Sequence, residues 1–204
     1  MPTVEFFKQF GLVAFRDFLD RDFCDELCRE IKDSSKQRGN FRNLHTGEDV
    51  VDEEVKKRSE VVNPENDLME KVAKKLNELR PEIEKRYKVK PEGVQPPRFC
   101  LYEKGDFYRL HVDSGEHENI ASEARQRKVS AIIFLNEESR EPKEGSYCGG
   151  NLTFYGLNDN EIFGKFGLPL VGERGMLITF PPTLAHEVTE VTSGERYSVA
   201  TWFI

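Results

Sequence analysis

Long apolar runs are missing from this chain. No stretch approaches the roughly twenty consecutive apolar residues of a helical membrane span, so a bilayer is not expected as a partner. A secretory leader is not expected either, because MPTVEFFKQFG is too short and too polar for one. Cysteine is scarce: the four residues stand at 24, 28, 100 and 148, and none forms a C-x-x-C pair. Free thiols in a reducing, cytoplasmic setting are therefore expected, not a disulfide framework. Positive charge is outweighed, with 30 Lys and Arg against 37 Asp and Glu for a net charge of −7, and no basic stretch is interleaved with aromatics. That balance argues against nucleic acid as a partner. Histidine is limited to positions 45, 111, 117 and 186. Internal repeats and low-complexity tracts are absent, and nothing marks an oligomeric state.

What is present suits one globular domain spanning residues 1–204, with 37% apolar and 33% charged residues and enough chain to bury a core. LVAF, residues 12–15, reads as a strand. A helix follows with Asp20 as N-cap and Phe23, Leu27 and Ile31 on one stripe. Cys24 and Cys28 lie beside that stripe and read as packing. Residues 33–58 are polar and weakly periodic: a surface loop, or a loop that covers substrate. His45, within it, reads as solvated. Asn63-Pro64 reads as the cap and first residue of a second helix, with Leu68, Val72, Leu76 and Leu79 inward. Pro81 should break that helix near Leu79–Arg80, leaving PEIEKRY as a short second piece.

The period changes to strands from Val94. Candidates are 98–103, 107–112, 127–136, 151–155, 175–180, 184–191 and 196–203, with the very apolar VSAIIFLN expected at the centre. A helical part (1–93) followed by a strand-rich part (94–204) makes the chain α+β, its β portion a sandwich or jelly roll.

Chemistry concentrates in CLYEKGDFYRLHVDSG, Cys100 to Gly115. On an extended strand, His111 and Asp113 point to one face. H-x-D is two thirds of the 2-His-1-carboxylate set that leaves open positions on non-haem Fe(II). By itself it reads equally as a surface turn. In FPPTLAHEV, His186 shares a face with Leu184 and Val188, as a core histidine or a third ligand. In GERYSVATWFI, Arg196, Ser198 and Trp202 share another face. A buried Arg needs an anion. It could be one of the chain's own acidic residues, or a small dicarboxylate gripped bidentately with Ser198 assisting.

H-x-D, a distal His, and an Arg ten residues further on within R-x-S resemble the Fe(II)/2-oxoglutarate oxygenases. Tyr102-x-x-Gly105-x-x-Tyr108-x-x-His111-x-Asp113 resembles their prolyl 4-hydroxylase branch, which includes the hypoxia-sensing prolyl hydroxylases. Gly149-Gly150-Asn151-Leu152 and the N-terminal FLDRDFCDEL extend the resemblance over most of the chain. It implies a double-stranded β-helix (jelly roll) with the N-terminal helices packed on the major sheet. It implies Fe(II) on His111, Asp113 and His186, with 2-oxoglutarate and O2 as co-substrates. The distal carboxylate of 2-oxoglutarate would pair with Arg196 and Ser198, and Tyr102 would hydrogen-bond the co-substrate. Simple alternation aims Tyr108 away from the metal unless a bulge intervenes. Trp202 matches a tryptophan near the family's site, and His117 reads as a loop residue. Phe134 stands where hypoxia-sensing relatives carry a tyrosine for the distal carboxylate.

The implied reaction hydroxylates a substrate C–H with release of succinate and CO2. A prolyl residue in a peptide or protein is the leading substrate, and a free amino acid or other small molecule is the alternative. A non-catalytic jelly-roll metal-binding or interaction module is the rival of another class.

Overall fold

Two sheets carry most of the chain, and their strand order brings distant segments together. The computed structural model describes residues 10–43, 45–157 and 166–204. Strand β1 (Val13–Phe15) leads into helix α1 (Arg21–Asp33). Asp20 caps α1 as expected, its side chain accepting from Phe23 N at 2.9 Å. The segment read as a loop at 33–58 instead holds β2 (Lys36–Arg38), β3 (Phe41–Arg42), β4 (Asp49–Val50) and β5 (Lys56–Lys57), and β6 (Ser59–Val61) follows it. These strands are two or three residues long and polar, so they carry almost no alternation. They exist by pairing with sheet edges or with each other.

Helix α2 (Asn66–Glu78) begins later than its sequence suggests. Asn63 is not the cap: it adopts a left-handed φ of +52°, turning the chain out of β6. Glu65 takes the N-cap position with no side-chain bond of its own, and its N–H is accepted by the Glu30 carboxylate of α1 at 3.1 Å. The break at Leu79 occurs as expected. Leu79 closes α2 and opens α3 (Arg80–Tyr87), with Pro81 in the first turn, where a missing N–H does no harm.

Then come β7 (Arg98–Tyr102), β8 (Phe107–His111), the single-turn α4 (Ser122–Arg125), β9 (Val129–Phe134), β10 (Tyr147–Gly149), β11 (Leu152–Phe154), β12 (Leu168–Leu170), β13 (Leu177–Phe180), β14 (His186–Val188), β15 (Val191–Gly194) and β16 (Arg196–Phe203). The candidate at 184–191 is thus two strands in different sheets, and β10 and β12 have no counterpart among the expected strands. The larger sheet runs β1-β13-β9-β16-β7-β6-β2, and the smaller runs β12-β11-β14-β8-β5. Pairs β10-β15 and β3-β4 stand apart among the described residues. The central strand of the larger sheet is β16, not β9. Apolarity shows that both are interior but does not rank them.

The faces of the larger sheet do different work. Tyr197, Val199 and Phe203 of β16 join Phe99, Leu101, Ala131 and Ile133 in one buried cluster with Leu27, Ile31, Leu68, Val72 and Leu76 of the helices. Cys100, Tyr102, Phe134, Ile178 and Phe180 join Leu152, Phe154 and Val188 of the smaller sheet in a second cluster. No helix among the described residues is long and apolar enough to cross a membrane.

Docking of the helices can be tested by urea unfolding. Leu76 is fully buried, so Leu76→Ala should remove about 2–5 kcal/mol. Asp20→Ala, which loses only a cap, should remove about 1 kcal/mol. Equal, small losses from both would mean that α2 is not packed on the sheet.

Candidate active site

Strands β8 and β14 are neighbours in the smaller sheet, and His111 and His186 are direct cross-strand partners. Just past β8 the chain is pinned, with Asp113 N and Ser114 N both donating to Pro182 O at 2.8 and 3.0 Å. The Asp113 carboxylate accepts from Ser130 Oγ, on β9 of the opposite sheet, at 2.7 Å. One ligand atom from each of His111, Asp113 and His186 lies within 4.8 Å of the others. Asp113 Oδ1 is 3.8 Å from His111 Nε2, and Oδ2 is 3.6 Å from His186 Nε2.

The histidines are oriented alike. His111 Nδ1 meets Arg109 O and His186 Nδ1 meets Leu184 O, both at 2.8 Å. A carbonyl only accepts, so each Nδ1 carries the proton and each Nε2 lone pair faces the shared point. Burial, reinforced by His186, holds His111 well below its ordinary pKa and therefore neutral. Burial would raise Asp113, but the two imidazoles and the Ser130 hydrogen bond outweigh it, and the carboxyl stays ionised. Two neutral imidazoles and one carboxylate on one side of a point fit a divalent iron that keeps open positions.

Tyr108 is not aimed away. The β8–β14 register shifts between His186 and Val188, because Val188 pairs with Tyr108 while His186 pairs with His111. This bulge adds a residue to β8 and turns Tyr108 toward the site. Its ring stacks on His111 with centroids 3.6 Å apart.

Arg196 opens β16 and is 1% exposed. Its Nη1 donates to Ser198 Oγ at 2.9 Å. Its Cζ lies 5.0, 5.2 and 5.9 Å from the ring centres of Tyr102, Phe134 and Tyr147. Among the described residues no carboxylate pairs with it, and its Nε and Nη2 have no hydrogen-bond partner. Gly150, at φ +62°, lets the backbone pass close, since a Cβ there would come within 3.0 Å of Arg196 Cδ. Among the described residues, then, no ion pair holds Arg196. Its N–H groups fit an anionic co-substrate.

Lys56, Arg58, Glu60, Arg98 and Arg127 have no counterpart among the site residues of the sequence reading, whereas Trp202 and His117 are read there as a residue near the site and a loop residue. Arg58, between β5 and β6, donates from Nη1 to Tyr102 Oη at 2.8 Å. Tyr102 therefore accepts there and keeps its own proton for another partner. Glu60 Oε1 takes both Arg58 Nη2 and Lys56 Nζ at 2.8 Å, and Lys56 is 2% exposed. Lys56, Arg58 and Glu60 alternate at period two, a strand signal hidden by the polarity of the segment. Trp202 is flanked by Arg127, 3.6 Å from the ring centre, and Arg98, at 5.1 Å. Arg127 also donates to Asp113 O at 2.8 Å. His117 Nδ1 accepts from Asn119 N at 3.2 Å, within its own loop.

Residues 97–204 match the family described as the 2OG-Fe(II) oxygenase superfamily, and the chain belongs to it. Fe(II), 2-oxoglutarate and O2 are the cofactor and co-substrates of that family. A PKHD-type hydroxylase of Teredinibacter turnerae is 33% identical over 113 residues, covering 55% of this chain and 44% of the relative. The match therefore takes in less than half of that protein's length. A Pseudomonas putida prolyl-4-hydroxylase superposes with a TM-score of 0.71 at 23% identity, covering 98% of this chain and 95% of that one. A Trichoplax adhaerens prolyl hydroxylase, solved with a hypoxia inducible factor oxygen degradation domain peptide fragment, gives 0.70 at 17% identity, covering 98% and 86%. These likenesses are of fold.

Burial and the neighbouring Arg58 charge lower the Lys56 pKa from 10.5 to about 8, against the pull of Glu60. Between those values the unfolded chain holds the proton more firmly, so this residue adds stability as pH rises. Urea unfolding at both ends of the window should show wild type gaining on Lys56→Met by no more than about 3 kcal/mol. A difference independent of pH would mean that Lys56 is solvated.

Proposed function

We propose that the protein is an Fe(II)- and 2-oxoglutarate-dependent dioxygenase that hydroxylates a substrate C–H, releasing succinate and CO2. The carrying observation is Arg196, a buried guanidinium whose Nε and Nη2 have no partner among the described residues, beside a cluster of two histidines and an aspartate. A buried cation without an anion is strongly unfavourable, and a dicarboxylate co-substrate answers it. In this reading residues 1–204 form one domain whose two facing sheets are the double-stranded β-helix.

His111, Asp113 and His186 would hold Fe(II), which with 2-oxoglutarate supplies the activation of O2. The chain's own part is positional and electrostatic. Arg196 grips the distal carboxylate and Ser198 steadies the guanidinium. Tyr102, its oxygen engaged by Arg58, offers its proton to the co-substrate. The Arg109 and Leu184 carbonyls keep both Nδ1 atoms protonated. Tyr108, Phe154 and Phe180, whose rings pack on the two histidines, exclude water from the metal side.

The substrate in this reading is a prolyl residue in a peptide or protein, in a cytoplasmic setting that suits the free thiols. Two prolyl hydroxylases among the solved structures of like fold support it. So does the β3–β4 hairpin, which reaches the loop after Asp113 through Arg42 Nε donating to Asn119 O at 3.2 Å and could cover an extended peptide.

Anaerobic protein titrated with Fe(II) and then 2-oxoglutarate should develop the visible charge-transfer band of the chelate. Asp113→Ala should lose iron and turnover together. Arg196→Ala should bind iron normally but need ~30-fold more 2-oxoglutarate or beyond, the usual loss when half of a buried charge pair is removed. Unchanged 2-oxoglutarate affinity would refute the clamp. Succinate release that no prolyl peptide stimulates would refute the substrate.

A further inference from the structure

Tyr147 is 1% exposed, and its hydroxyl has no hydrogen-bond partner among the described residues. It lies on β10, paired with Gly194 of β15, two residues before Arg196. The β10–β15 register shifts right after it, between Cys148 and Gly149. The ring thus enters the cradle of Arg196, whose Cζ is 5.9 Å from its centre. Gly172 shows where the hydroxyl stands: a Cβ there would overlap Tyr147 Oη and come within 2.6 Å of Phe134 Cδ1. Tyr147 Oη and the edge of Phe134 therefore share one wall beside the guanidinium. A phenylalanine at 147 would pack the same ring without stranding a polar atom, so the hydroxyl calls for a ligand.

We infer that Tyr147 binds the co-substrate, its hydroxyl donating to the distal carboxylate of 2-oxoglutarate on the wall where Phe134 offers no donor. This rests on the 2-oxoglutarate reading above and names the residue that completes its clamp. Arg196 brings its unpartnered Nε and Nη2 and Tyr147 one O–H to a group with two acceptor oxygens. Burial pushes the phenol up to about 12 against the pull of Arg196, so at neutral pH it is a neutral donor. The arrangement selects a 2-oxo acid that carries a second carboxylate. A monocarboxylic 2-oxo acid would leave both Arg196 and Tyr147 unsatisfied.

The test loads Fe(II) anaerobically and follows the charge-transfer band during titration with 2-oxoglutarate and, separately, with 2-oxovalerate, which lacks the distal carboxylate. Tyr147→Phe should weaken 2-oxoglutarate binding roughly tenfold or more, the size of a hydrogen bond to a charged group. Iron affinity and 2-oxovalerate affinity should stay at wild-type values, and the unfolding midpoint without co-substrate should not fall, because the variant removes a buried hydroxyl that has no partner there. Recovery of 2-oxoglutarate affinity in Phe134→Tyr/Tyr147→Phe would attribute the loss to the hydroxyl and not to packing. Wild-type 2-oxoglutarate affinity in Tyr147→Phe, or an equal loss toward 2-oxovalerate, would overturn the inference while leaving the oxygenase reading standing. No band in the wild type would overturn both.

Discussion

Everything in this molecule hangs on the two-residue period of β16. All eight of its side chains are buried, and alternation divides them between two interiors. Tyr197, Val199 and Phe203 bind the helices to the larger sheet, while Arg196, Ser198 and Trp202 line the space between the sheets. A slip of one residue would drive the guanidinium into the helical core and turn Tyr197 into the site. Asn136 guards the register: its Oδ1 accepts from Tyr197 N at 3.0 Å and its Nδ2 donates to Glu195 O at 2.8 Å. One buried amide thus decides which face of the strand is chemical.

The charges between the sheets form a second constraint. Lys56 and Arg58 share one carboxylate, Glu60, and Asp113 and Arg196 stand further in. Adding a dication at the histidines and a dianion at Arg196 leaves the total interior charge unchanged while giving each isolated charge a partner. The segment from β2 to β6 takes part directly. β5 extends the smaller sheet, β6 extends the larger, and Arg58 is the single residue between them, bonded to the tyrosine beside Arg196. In the proposed reading this segment covers one side of the two sheets and is anchored on the pocket that would take the co-substrate.

Much of this could be read from the chain because strand periodicity is short-ranged. H-x-D needs only two residues to define a face, and His186 and Arg196 announce themselves as polar groups on otherwise apolar faces. The failures share a cause. Lys56 and Glu60 lie in strands too short and polar to show alternation, with Arg58 between them, so an inward ion cluster reads as a solvated loop. Tyr147 sits on a three-residue strand after a glycine turn, held by an equally short partner. The re-aiming of Tyr108 depends on a bulge, which is a property of the pairing with β14 and not of β8 itself. Asn63 has the chemistry of a helix cap but is needed to turn the backbone two residues earlier. Pairing and register belong to tertiary structure, and local pattern does not report them.

The chain has one tryptophan, and its place gives the protein a built-in optical probe. Trp202 is the cross-strand partner of Ser130, whose hydroxyl holds Asp113, and its ring lies under Arg127. All indole emission from this chain therefore comes from one spot beside the residues that would hold iron. Iron entry in the proposed reading, and loss of the fold, would each change the surroundings of that single fluorophore. Site occupancy and unfolding can thus be followed in unlabelled protein on one wavelength axis, with no second indole to subtract.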